Sequence, residues 1–146
     1  MEITSKRSAF SWDPEFRPFV DDLRDFLRFK EGGRPGNPET FMICLAVGFD
    51  SGVKRDVPPR KSDSMRVADL KKDQFAMMRA VALRETKDSS VLLNDDDVFD
   101  IAEQYAAGGL MLLAQKAKEG GDFRLDLIRM FAAASTSAAN LEAQGE

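Results

Sequence analysis

Cys44 is the only cysteine in the chain, and there is no histidine. A thiolate nucleophile needs a nearby cation or a helix N-terminus to stabilise it. Cys44 instead stands among Met42, Ile43, Leu45 and Ala46. Such neighbours place it in a core, where a free cysteine packs as a small hydrophobe. Without histidine, Ser-His-Asp and Cys-His catalysis and His-ligated zinc are excluded, and one cysteine makes no disulfide framework. Carboxylates are the remaining route to catalysis. Asp95, Asp96 and Asp97, followed by Asp100 and Glu103, carry enough oxygen to attract Mg²⁺ or Ca²⁺. The D-x-D-x-D-G spacing of a cation loop is absent, and no basic residue lies between 88 and 115 to assist a metal nuclease. Three acids opening a helix are what the helix dipole favours. The chain therefore reads as a non-enzyme with no metal and no cofactor.

Charge is the stronger signal. The formal net charge of −4 conceals two opposed regions. Residues 1–87 sum to +3 and residues 88–146 to −7. Within 53–72 stand seven cations, Lys54, Arg55, Arg60, Lys61, Arg66, Lys71 and Lys72, against three aspartates. Pro58 and Pro59 stiffen this stretch. Positive charge on an exposed, pre-ordered segment suits phosphate contacts, so these seven are candidate nucleic-acid ligands. No aromatic residue alternates with them, so base stacking is not indicated. No G-x-x-x-x-G-K-[ST] loop is present to cradle a nucleotide. The plain alternative is a solvated basic loop, or one paired with the acidic region. Between 88 and 115 there are six acids and no cation. That face, with Asp96, Asp97, Asp100 and Glu103, is a candidate dock for a basic partner or for a basic segment of the same chain. Gly108 and Gly109 extend it as a smooth patch beside Ala102, Ala106 and Ala107. Two glycines inside a helix cost on the order of 2 kcal/mol in propensity, and close helix–helix approach is the first reason to keep them.

The elements that must position these residues are mostly helices. Residues 1–12 are polar and mixed and read as an arm ordered only where Phe10 and Trp12 dock. A helix starts at Asp13-Pro14 or at Pro18 and presents Phe16, Phe19, Val20, Leu23, Phe26 and Leu27 at spacings of three and four. The glycine-rich stretch 31–37 is a turn. Asn37-Pro38 opens the next helix, and Thr40 to Phe49 is apolar on every side, which predicts a central helix or a buried strand. Residues 51–63 form a loop or one arm of a small hairpin, with Val53–Val57 pairing against Met65–Leu70. A helix capped by Asp73 buries Phe75, Met78, Val81 and Ala82. The longest helix opens at Asn94 and runs to about Lys118, where Gly120-Gly121 stops it. Asp122 caps a last helix with Phe123, Leu127, Ile128 and Phe131 inward, and residues 135–146 form a flexible tail. The expected fold is mainly α: one domain of about five helices spanning 13–134, with one small β-hairpin near 53–70. No apolar run approaches the roughly 18 residues of a membrane span, and a lone cysteine without a signal sequence predicts a cytoplasmic setting.

Several short stretches between Phe41 and Phe131 occur in a characteristic order. They are Gly48-Phe49 at the end of the apolar helix, then Lys54-Arg55, then Ala82-Leu83-Arg84-Glu85-Thr86, then Glu103 to Gly109 (EQYAAGG). In this order they resemble the small accessory proteins called dnd system-associated protein 4, found beside DNA phosphorothioation and restriction genes. The resemblance implies a bacterial, cytoplasmic accessory or adaptor role in DNA-modification-linked anti-phage defence. A larger defence or DNA-processing protein is the implied partner, with DNA phosphate as the other candidate and no membrane. It transfers no catalytic residue.

Overall fold

The computed structural model describes residues 3–28, 33–58 and 63–144. Among these the chain forms five α-helices and one two-stranded sheet. Strand β1 covers Ala9–Ser11, α1 Val20–Phe26, α2 Asn37–Ser51, β2 Asp63–Arg66, α3 Lys72–Thr86, α4 Asp95–Lys118 and α5 Phe123–Gln144. The fold is mainly α, as the periodicity predicts. Local chemistry sets most boundaries. Pro18 lies in the single 3₁₀ turn, Arg17–Phe19, that leads into α1. Asn94 caps α4 by accepting the Asp97 N–H at 3.3 Å. Gly120 and Gly121, both at positive φ, turn the chain after α4. Asp122 then caps α5 by accepting the Leu125 N–H at 3.1 Å. Two boundaries differ from expectation. Helix α3 begins one residue before Asp73, whose carboxylate accepts the Gln74 N–H inside the first turn. Helix α5 continues to Gln144 rather than ending at 134.

Phe41, Cys44, Leu45 and Val47 are buried on α2, so the all-round apolar stretch is a central helix and not a strand. Helix α2 packs chiefly on α4, and two glycines set how closely. A Cβ at Gly109 would stand 1.8 Å from the Cys44 carbonyl oxygen, and one at Gly48 would stand 1.9 Å from that of Tyr105. The helices meet backbone to backbone, and any side chain at either position would separate them. Gly108 does the same for the chain leaving α2, because a Cβ there would stand 2.0 Å from the Val53 carbonyl oxygen.

The sheet differs from the expected hairpin. Strand β2 exists but pairs antiparallel with the N-terminal β1, matching Ala9 to Arg66 and Phe10 to Met65. Residues 53–58 are not a strand because their backbone is engaged elsewhere. The Val53 N–H reaches the Gly48 carbonyl at 2.9 Å, and the Arg55 N–H reaches that of Gln104 at 3.0 Å. The β1–β2 pair turns Phe10 and Met65 inward. Phe10 packs its ring 5.1 Å from Phe41 and 5.0 Å from Phe99, and Trp12 lies 5.9 Å from Phe41. Phe10 and Trp12 dock as expected, but order is not confined to them, because Thr4, Ser5 and Arg7 also bond α4. On α5, Phe123 and Leu127 turn inward as expected, but Ile128 does not: it is exposed, because it stands more than about 90° around the helix from both. The inward placement expected for Phe131 lies outside the described side chains.

The α2–α4 contact predicts a sharp asymmetry in glycine substitutions. Gly109→Ala gains about 1 kcal/mol of helix propensity but forces a methyl into backbone atoms that cannot swing aside. Overpacking of this kind costs typically about 1–3 kcal/mol, and more where backbone must move. The variant should melt several degrees below wild type in a thermal denaturation. A melting temperature at or above wild type would show that the helices separate freely at this point.

Candidate functional site

The acidic face of α4 is occupied by the chain's own N-terminal segment. The Asp95 carboxylate accepts the Thr4 N–H at 2.8 Å and the Thr4 hydroxyl at 3.0 Å. The Ser5 hydroxyl bonds Asp96. Arg7 forks between Asp100 and Glu103, the latter at 2.9 Å, with its guanidinium 5.7 Å from the centre of the Phe10 ring. Glu103 also accepts the Ser11 N–H at 2.9 Å. Burial pushes the Glu103 carboxyl above its ordinary range, while the Ser11 N–H and Arg7 oppose that shift. Of the four acids expected to meet a partner, Asp96, Asp100 and Glu103 are therefore bonded within the chain, and Asp97 is exposed. Gly108 and Gly109 are buried against backbone and offer a partner no surface. Close approach is the reason for both. Among the described residues no group of three or more acidic or cysteine side chains is placed to hold a metal ion.

The basic candidates separate in the same way. Lys54 pairs with Glu85. Arg55 reaches Asp13 at 2.8 Å and Glu15 at 2.7 Å, and lies 5.1 Å from the centre of the Phe16 ring. Asp13 is buried and serves as Arg55's partner rather than as a helix cap. Arg66 pairs with Asp69 at 3.0 Å on the surface, and Lys71 with Glu39 at 3.3 Å. Lys72 is exposed. Arg60 and Lys61 lie outside the described residues. Among its described residues the basic segment does not cover the acidic face. It runs beside α4 through the Arg55 N–H and a 3.3 Å bond from the Gln104 amide to Asp56.

One cluster emerges that spacing alone does not reveal. Glu85 of α3 receives Lys54 on one carboxylate oxygen and the Tyr105 hydroxyl on the other. Lys54 also lies 5.7 Å from the centre of the Tyr105 ring, and Phe49 meets that ring edge-on at 5.5 Å. Three elements are clasped by one carboxylate: the segment after α2, the end of α3 and the middle of α4. The hydrogen bond from Lys54, followed by that from Tyr105, holds Glu85 below the usual carboxylate range. Burial, then the bond and charge of Glu85, push the Tyr105 hydroxyl well above its ordinary value. The tyrosine is kept neutral as a donor and the glutamate ionised as an acceptor. Neither has a free position from which to move a proton. The signal that could have found this cluster was already in hand, since Lys54, Glu85 and Tyr105 each fall in one of the ordered stretches read from the sequence. Cys44 is fully buried, with its thiol pushed up to about 12 by burial.

Three measurements follow from single reporters. The chain has one tyrosine, so an ultraviolet titration reads Tyr105 alone. It should remain un-ionised in the native protein at pH 10, near the ordinary midpoint, and titrate normally in denaturant. A normal native midpoint would break the clasp. The lone thiol should ignore a thiol reagent until the protein is unfolded, and fast native labelling would contradict its burial. For Glu85 the folded-state pKa is lowered. Its contribution is therefore present above the ordinary value and lost as pH falls through the folded one. Glu103 shifts the other way and gains on acidification. The informative quantity is thus the difference in melting temperature between wild type and Glu85→Gln, which should shrink as pH falls from about 5 toward 3. A constant difference would mean that the carboxylate charge contributes nothing.

No curated protein and no solved structure matches the chain. A protein-family model does, over residues 30–145, which include Gly48, Lys54, Glu85, Tyr105 and Gly109. The chain belongs to the family described as DNA sulphur modification system-associated protein 4.

Proposed function

We propose that the chain is a non-catalytic accessory subunit of a DNA sulphur modification system, acting by docking to a larger protein of that system. The observation that carries this reading is the closure of the Lys54–Glu85–Tyr105 cluster. Residues from the stretches that carry the resemblance hold helices together through bonds within the chain. Family membership supplies the setting. No helix among the described residues is long and apolar enough to cross a membrane.

The docking surface we favour lies where α1 meets α5. Phe26 is exposed there, and Leu125 and Ile128 are exposed on the side of α5 away from the buried Phe123 and Leu127, Ile128 at 64%. The Phe26 ring stacks edge-on against Phe123 at 4.5 Å. Beside it an open groove of about 250 Å³ is lined by Asp22, Asp25, Phe26 and Arg124. Apolar side chains with a charged rim are the ordinary anatomy of a protein interface. We favour it over the face of α4 because Asp96, Asp100 and Glu103 there are already bonded within the chain.

Affinity capture from the native host, read by quantitative mass spectrometry, tests the reading. Wild type should enrich sulphur-modification or restriction proteins. Leu125→Glu combined with Ile128→Glu should lose them without lowering the melting temperature, because both side chains already face water. Enrichment of no such protein, or an unchanged set with the double variant, would overturn it.

A further inference from the structure

Helix α5 turns an unusual side to water. Phe123 and Leu127 are buried against the core. A surface helix ordinarily carries polar and charged residues on the opposite side. Here that side carries Leu125, 42% exposed, and Ile128. The two stand three residues apart, so their side chains are neighbours and form one ridge. A single exposed apolar residue needs no explanation. A pair side by side, on a face the core does not use, does need one. Beyond them the exposed positions described over the next two turns are Ala132, Ala133 and Thr136, all small. The ridge therefore stands proud of its own helix.

The charge beside the ridge points to what covers it. Arg124 stands one turn before Ile128, and Arg129 one turn after Leu125. Each apolar side chain thus has a guanidinium at its flank. Both arginines are exposed, and neither enters an ion pair among the described residues. No acid is exposed among the described side chains of α5, where Asp126 is partly buried. Asp122, just before the helix, is engaged by the Leu125 N–H at 3.1 Å. Asp22 and Asp25 of α1 line the groove beside Arg124, and Asp25 is shared by Arg28 and Arg34. The outward face is therefore apolar at its centre with a cation on either side. A phosphate backbone gains nothing from Leu125 and Ile128 between its cations. Two apolar side chains are too few to hold a helix in a lipid surface. A protein cleft fits both features. Apolar anchors at i and i+3 are how a helix lies in a hydrophobic groove, and carboxylates are the natural partners of the flanking guanidinium groups.

We propose that the outward face of α5 docks into an apolar cleft with an acidic rim on a larger protein, Leu125 and Ile128 entering the cleft and Arg124 and Arg129 pairing with carboxylates on its two lips. This rests on the docking reading above and adds to it the chemistry of the partner and the way the helix is held. The arginines lie at the edge of the contact, where charge acts mainly on the rate of association and its salt dependence. The apolar pair lies at the centre, where truncation costs most.

The sulphur-modification or restriction protein captured by the wild-type chain, once purified, is the probe, and binding kinetics on an immobilised chain at low and high salt are the readout. Arg124→Glu combined with Arg129→Glu should slow association roughly tenfold at low salt and flatten its salt dependence, with dissociation changed far less. Arg124→Lys combined with Arg129→Lys keeps the charge and should stay within about threefold of wild type. The reversal variant should keep its melting temperature, because both positions are exposed and an acid at 124 suits the first turn of the helix. A photo-cross-linking residue in place of Ile128 should join a partner segment that has Asp or Glu beside apolar residues. If the wild-type chain captures no such protein, the docking reading fails and this inference fails with it. If a partner is captured but its association ignores the arginine reversals, or position 128 cross-links to a basic or wholly polar segment, the docking reading stands and only this inference is overturned. Binding to phosphatidylglycerol vesicles that Ile128→Glu abolishes would give the face to a membrane surface and overturn it as well.

Discussion

The backbone contact between α2 and α4 is the constraint on which the other interactions rest. With Gly109 against the Cys44 carbonyl and Gly48 against that of Tyr105, α4 has one register along α2 and one rotation about its axis. That rotation turns Tyr105 toward the end of α3 and Glu103 toward the N-terminal segment. Gly108 then lets the chain leaving α2 pass directly over α4, which delivers Lys54 to Glu85 and Arg55 to Asp13. Packing density in a protein interior leaves little slack for a looser arrangement. Displacing α4 by the width of one methyl group would move the partners of four separate polar contacts together.

The electrostatic organisation follows from that geometry. The acidic half of α4 would repel itself if it faced water alone. The first segment of the chain supplies Arg7, two hydroxyls and two backbone N–H groups to it. This segment precedes the region matched by the family model, yet it also contributes Phe10 and Trp12 to the core. It is therefore held by two means, apolar burial at 10 and 12 and charge pairing at 7, which meet where the Arg7 guanidinium lies over the Phe10 ring. A clasp of three side chains at Glu85 and a forked arginine at Glu103 lie two residues apart on α4 at Tyr105 and Glu103. They tie opposite neighbours to the same turn of helix.

What the sequence made legible was what its local chemistry determines. Caps at Asn94 and Asp122, the double glycine after α4, the proline at the start of α2 and the apolar run through Cys44 all act within a few residues of where they stand. They located the start of α2, both ends of α4 and the start of α5 to within a residue or two, whereas the end of α5, which no local signal marks, lies ten residues beyond the expected one. The β1–β2 pairing was not legible, because three residues near position 10 and four near 65 carry no periodicity of their own and find each other only through the core. A hairpin between 53–57 and 65–70 was the local solution. The fold rejected it once Val53 and Arg55 had better partners on α2 and α4. The charge clusters were legible as charge but not as pairs. Nothing near Arg7 says that it will meet Asp100, and Glu85 and Tyr105 become neighbours only when α3 lies against α4.

Helix α3 illustrates why the residues easiest to recognise are not those that reveal a partner. Its inward face carries Phe75, Met78, Val81, Ala82 and Glu85, and each is fixed by what it touches inside the molecule. Such positions are bound to recur wherever this fold is built, so a family pattern is read largely from them. The outward face is less tightly held: Arg79 stacks its guanidinium 5.5 Å from the centre of the Phe75 ring, while its shielded Nε has no hydrogen-bond partner. Arg55, by contrast, is paired with Asp13 and Glu15 and packed on Phe16.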